Sequence, residues 1–186
     1  MKTGLKQILL MLSCWGGLFW IPVAQAVDVN VKISGKIYIP PCRINGNDTA
    51  IHIPFGRIAL QKVDGRNYAE TRTVRVTCDY YRGKPYIRLA GAALSGAGVN
   101  VLRTSGANPD GLGIALYQGD SVDSAYPLKI GAGEQGKYGF KIKKGLSVLN
   151  TTNSEFTFTA VPYKYGRADL KAGAFSAAVT MSISYL

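Results

Sequence analysis

The chain has 186 residues, 47% of them hydrophobic and 18% charged, which excludes a disordered polypeptide and leaves room for a packed core. Its net charge of +11 favours acidic partners. One histidine and three cysteines are too thin a supply for a His- or Cys-rich metal centre.

Residues 1–26 read as an export signal: Lys2 and Lys6 form a basic start, Ile8 to Val23 an apolar run, and Ala24-Gln25-Ala26 a small-residue cleavage site. A membrane anchor is the competing reading. Ser13, Gly16, Gly17 and Pro22 interrupt the run, however, and it is short of the ~20 apolar residues that a spanning helix needs. The exported chain is therefore expected to start at Val27, not to be membrane-embedded, and to keep a charge of +9 once two lysines are subtracted from +11. Cys14 leaves with the signal. Cys42 and Cys78 remain as an even pair in an oxidising space, so one disulfide is expected, worth ~4 kcal/mol in the chain-entropy model.

Next comes "VDVNVKISGKIYIPPC", which alternates with Val27, Val29, Val31, Ile33, Gly35, Ile37 and Ile39 on one face and polar residues on the other. This predicts a strand, stopped by Pro40 and Pro41 because proline cannot donate to a ladder. Residues 27–41 are thus an extension ahead of the first disulfide cysteine, and residues 42–186 form one domain. Further period-2 segments follow: Ala50–Ile58, Thr71–Cys78, Pro85–Gly91, Gly113–Gly119, Lys137–Gly145 and Ser154–Lys164. The last is "AFSAAVTMSISYL", where Phe175, Ala177, Val179, Met181, Ile183 and Tyr185 share one face. No sustained helical period occurs, so the expected fold is all-β, an antiparallel sandwich. Both tryptophans, Trp15 and Trp20, lie in the signal, so the buried tryptophan of antibody domains is missing. Cys42 comes early enough that the disulfide must staple the first strand.

Catalytic and ligand-binding patterns are few. Gly131, Gly133 and Gly136 in "GAGEQG" fit a dinucleotide spacing, but a strand-like stretch follows where a helix is required, so a glycine turn is read. His52 sits in a strand-like segment without any nucleophile-elbow motif, and neither a catalytic triad nor a cofactor is expected. Asn47-Asp48-Thr49 and Asn150-Thr151-Thr152 are read as loop markers. "YYRGKPYIR", Tyr80 to Arg88, interleaves basic and aromatic residues as a nucleic-acid groove does, but an exported protein gives it no nucleic acid to meet. A turn with solvated basic side chains is read instead.

These residues together resemble the subunits of chaperone–usher pili. The likeness runs through the extension with Gly35, "PPC" ending at Cys42, "IPFGRI" around Phe55, "GIALYQG", and the terminal stretch in which Gly173 lies fourteenth from the end and Tyr185 is penultimate. Within the family the chain is most similar to the tip-adaptor subunits of P-type pili. The resemblance implies an incomplete immunoglobulin-like sandwich lacking its last strand. Gly173 and the face from Phe175 through Ala177, Val179, Met181 and Ile183 to Tyr185, ending at Leu186, would border the resulting groove and bind a chaperone. A periplasmic pilus chaperone would lend a strand and hold the Leu186 carboxylate. At the outer-membrane usher, the extension of a neighbouring subunit would replace it. Val29, Val31, Ile33, Gly35 and Ile37 are the expected donor residues of this chain's own extension. The implied neighbours are an adhesin and tip or shaft pilins on a cell-surface fimbrium. The alternative is a self-complemented, secreted carbohydrate-binding sandwich, in which extension and groove belong to one molecule.

Overall fold

The computed structural model describes residues 29–186, divided between two units, the first ending at Lys36 and the second running from Ile37 to Leu186. The expected export signal, with Val27 and Asp28, lies outside the described residues. In the first unit Val29–Lys36 forms no strand, and Val29, Val31 and Ile33 are 78%, 78% and 92% exposed. The alternation that predicts a strand there supplies an apolar face but no ladder partner, and a lone strand is not stable in water.

The second unit contains ten strands: β1 Arg43–Ile44, β2 Glu70–Thr77, β3 Pro85–Gly91, β4 Val101–Arg103, β5 Ser105–Gly106, β6 Leu112–Gln118, β7 Phe140–Lys141, β8 Asn153–Lys164, β9 Phe175–Ser176 and β10 Val179–Tyr185. One sheet runs in the order β1, β2, β8, β6, β4, and a smaller one runs β10, β3, β7. A two-stranded ribbon joins β5 to β9, and every pairing is antiparallel. β2 and β3 are consecutive in the chain yet belong to different sheets, so the "RGKP" turn carries the chain across the sandwich.

Period-2 alternation decides which side chains meet between the layers. Val74 and Val76 of β2, Ile114 and Leu116 of β6, and Phe156 and Phe158 of β8 come from one sheet, while Ile87 and Leu89 of β3 with Ile183 and Tyr185 of β10 come from the other. They form one buried cluster, in which the Phe156 and Phe158 rings stack at 6.2 Å. Each such side chain contributes roughly 1.5–3 kcal/mol by leaving water. β6 is buried on both faces because Leu94, Val101 and Val161 cover Ala115 on the outer side. Its near-continuous apolar run reflects this double covering.

Three expectations need correction. Ala50–Ile58 forms no strand, although its side chains alternate between half-buried and exposed. Lys137–Gly145 yields only the two residues of β7, since Gly136–Tyr138 closes a 3-10 turn and the chain leaves the sheet after Ile142. The terminal strand is split, with Ala177 and Ala178 unpaired between β9 and β10. The glycine turn is found as read: Gly131, Gly133 and Gly136 all have positive φ, and no helix follows.

Candidate strand-accepting groove

β10 pairs with β3 from Val179 opposite Gly91 to Tyr185 opposite Pro85. Its other edge has no partner strand among the described residues. One main-chain bond reaches that edge, from the Cys42 N–H to the Ile183 carbonyl at 2.7 Å. The segment that continues from Cys42 returns along the same side: Ile51, Ile53 and Phe55 pack half-buried on the core cluster that Val179, Met181 and Phe175 also touch. At the far end the Phe55 and Phe175 rings meet at 6.2 Å. Two edges, Ala50–Phe55 and Phe175–Met181, therefore run antiparallel beside one another. They are tied at Cys42–Ile183 and at Phe55–Phe175, with no described ladder between.

Burial along the terminal strand follows from that gap. Ile183 and Tyr185 are 0% and 1% exposed, whereas Met181, Val179 and Phe175 on the same face are only half-buried and Ala177 is exposed. In a closed sandwich a neighbouring strand would cover all of them. An apolar face left open beside unpaired N–H and C=O groups is a template for an added strand.

The disulfide joins Cys42 to Cys78 across Cα atoms 4.2 Å apart. It links the residue before β1 to the residue after β2, whose register pairs Arg43 with Thr77 and Ile44 with Val76. The first strand is stapled as the sequence requires, and the same bond holds the Cys42 N–H against β10.

At the other end of the groove strand, Leu186 exchanges two backbone bonds with Lys84, at 2.7 and 2.9 Å. Gly83 makes this possible. Its φ is +106°, and a Cβ there would run into the Leu186 carbonyl. Burial pushes the Tyr185 phenol above its ordinary value, with the Asn150 backbone opposing weakly. Asn150, read from sequence as a loop marker, sits at φ 56°, and with its amide turned to donate it bonds the Gly83 and Tyr81 carbonyls at 3.0 and 3.2 Å. Sequence reasoning missed both Gly83 and Asn150. The glycine inside "RGKP" was the available signal, but nothing in the pattern says what approaches it.

Of the other residues that the sequence singles out, Gly173 is exposed near β5, and a Cβ on it would press on the Ala107 Cβ at 2.6 Å. Gly35 faces open space, and Ile37 is fully exposed. His52 is exposed. No grouping of three or more His, Cys, Asp or Glu side chains able to hold a metal ion occurs among the described residues. Nor is any described helix long and apolar enough to cross a membrane.

Fold and groove together define a class: all-β, immunoglobulin-like sandwiches built one strand short. The sequence matches the fimbrial protein family over residues 31–186, and the chain belongs to that family. It is 37% identical over 177 residues to the fimbrial adapter PapF of Escherichia coli, covering 95% of this chain and 99% of the relative. Identity to the minor fimbrial protein PrsF of Escherichia coli is 36%, with the same coverage. A solved structure of the P pilus adaptor subunit PapF superposes with a TM-score of 0.53 at 32% identity, covering 81% of this chain and all of that one.

Proposed function

We propose that this chain is a minor pilus subunit acting as a tip adaptor, joined to its neighbours by strand addition rather than by any catalysed reaction. The observation that carries the reading is the open apolar edge from Phe175 to Met181, facing Ala50–Phe55 across a strand-wide gap. A periplasmic chaperone fills the groove first and shields Val179 and Met181. At the outer-membrane usher the extension of an incoming subunit replaces it. This chain's own extension, residues 27–41 with Val29, Val31, Ile33, Gly35 and Ile37, enters the groove of the subunit on its other side, and residues 42–186 form the accepting domain. Main-chain bonds give the attachment, and alternate side chains entering the groove give the specificity. The 78–102% exposure of Val29, Val31, Ile33 and Ile37 supports a donor role, because these apolar side chains are left uncovered in the chain by itself.

The test removes Val27 to Ile39. The trimmed protein should stop forming multimers in size-exclusion chromatography yet still capture a synthetic peptide of residues 27–41. Full-length protein that remains a thermally stable monomer with no partner would overturn the proposal and favour self-complementation.

A further inference from the structure

The sandwich has two outer faces, and their charges differ. On the larger sheet the polar groups neutralise one another: Arg75 lies opposite Glu155, and the Thr71–Thr159 and Thr73–Thr157 hydroxyls pair at 2.9 and 2.8 Å. The smaller sheet has no such compensation. Ile87, Leu89, Ile183 and Tyr185 point into the core, so Tyr86 and Arg88 of β3 and Ser182 and Ser184 of β10 point outward. Lys141 of β7 stands opposite Tyr86 on this face, and buried Ile142 sends Lys143 outward beside it. Lys137 is contributed by the 3-10 turn Gly136–Tyr138, which packs against β3 and β10.

No Asp or Glu occurs in β3, β7 or β10; the carboxylate on these strands is the terminal one of Leu186. The ion pairs of the described residues use Arg43, Arg72, Arg103, Lys144 and Lys164, so Arg88, Lys137, Lys141 and Lys143 are left without a carboxylate. The backbone under them is held firmly. Gln118, 4% exposed, accepts the N–H groups of Lys143 and Lys144 through its Oε1 at 2.8 and 3.2 Å.

We infer that this face binds a linear anionic polysaccharide, one carrying sulfate or uronate groups. Cations two residues apart on a strand recur about every 7 Å, and neighbouring strands lie about 4.8 Å apart, a lattice suited to a chain of repeated anions. Outward hydroxyls on Ser182 and Tyr86 supply partners for sugar hydroxyls. The face lacks the aromatic ladder on which single-stranded nucleic acid stacks, since the Lys137 ammonium already lies 4.7 Å over the Tyr138 ring. It also lacks the exposed apolar side chains that insert into a lipid surface. The basic and aromatic stretch Tyr80–Arg88 thus has a use that strand addition does not give it, and the surface stands apart from the groove.

The test measures retention of the exported protein on immobilised heparin at about 0.15 M ionic strength. Arms with desulfated heparin, duplex DNA and phosphatidylglycerol vesicles run in parallel. Heparin should bind most tightly, in a salt-sensitive manner, and K141E/K143E should weaken it about tenfold while Arg75→Glu on the opposite sheet changes it less than twofold. The milder K141Q/K143Q, with an unchanged melting temperature, should weaken it in the same direction. Equal loss from Arg75→Glu would reduce the effect to net charge and overturn the assignment. So would absence of heparin binding, or tighter binding to DNA or vesicles.

Discussion

Ile33→Ala separates a donated arm from a self-paired one. In the chain by itself Ile33 is 92% exposed, so its truncation should leave the melting temperature and the free energy of unfolding unchanged to within about 0.5 kcal/mol. Inside a partner's groove the same change removes three buried carbons at ~0.8 kcal/mol each. The loss is about 2.4 kcal/mol, or roughly 60-fold in dissociation constant, before any cavity term. The assay is fluorescence anisotropy of a labelled peptide of residues 27–41, wild type against Ile33→Ala, titrated with protein lacking Val27–Ile39. The four described apolar side chains of the arm could together gross roughly 6–12 kcal/mol, less the entropy of ordering a free segment. Equal affinity of the two peptides would refute the reasoning. A lowered melting temperature in full-length Ile33→Ala would do so as well, since it would place Ile33 inside its own fold.

Three other outcomes are expected. Replacing both disulfide cysteines, C42S/C78S, should cost ~4 kcal/mol for a loop with a sequence separation of 36, lowering the melting temperature by about 8–16 °C in calorimetry. Gly83→Ala forces a side chain into φ +106° and against the Leu186 carbonyl, so it should destabilise by about 1–3 kcal/mol and make the last residues of β10 more sensitive to carboxypeptidase. Tyr185 has a folded-state phenol pKa raised by burial above 10.0. Its stabilising contribution is therefore complete below pH 10.0 and is lost as pH rises through the folded value, because only the unfolded chain ionises freely. Denaturant midpoints measured from pH 8 to pH 12 should fall above pH 10 in the wild type and fall less in Tyr185→Phe.

The alternation of Thr71–Cys78, Pro85–Gly91 and Ser154–Lys164 was enough to predict β2, β3 and β8, because period 2 places one row of side chains in water and the other in the core whatever the neighbours are. The count and position of Cys42 and Cys78 likewise determined the disulfide and the strand it staples. Ala50–Ile58 has the same alternation and forms no strand. Strand status requires a partner, and pairing joins residues far apart in the chain, so local pattern carries no information about it. Only the tertiary structure showed that β10 is bonded on one edge alone, that its apolar face runs from buried at Tyr185 to open at Phe175, and that Gly83 and Asn150 hold its end. The sequence thus determined which side chains prefer to leave water. Which of them find cover depended on long-range packing.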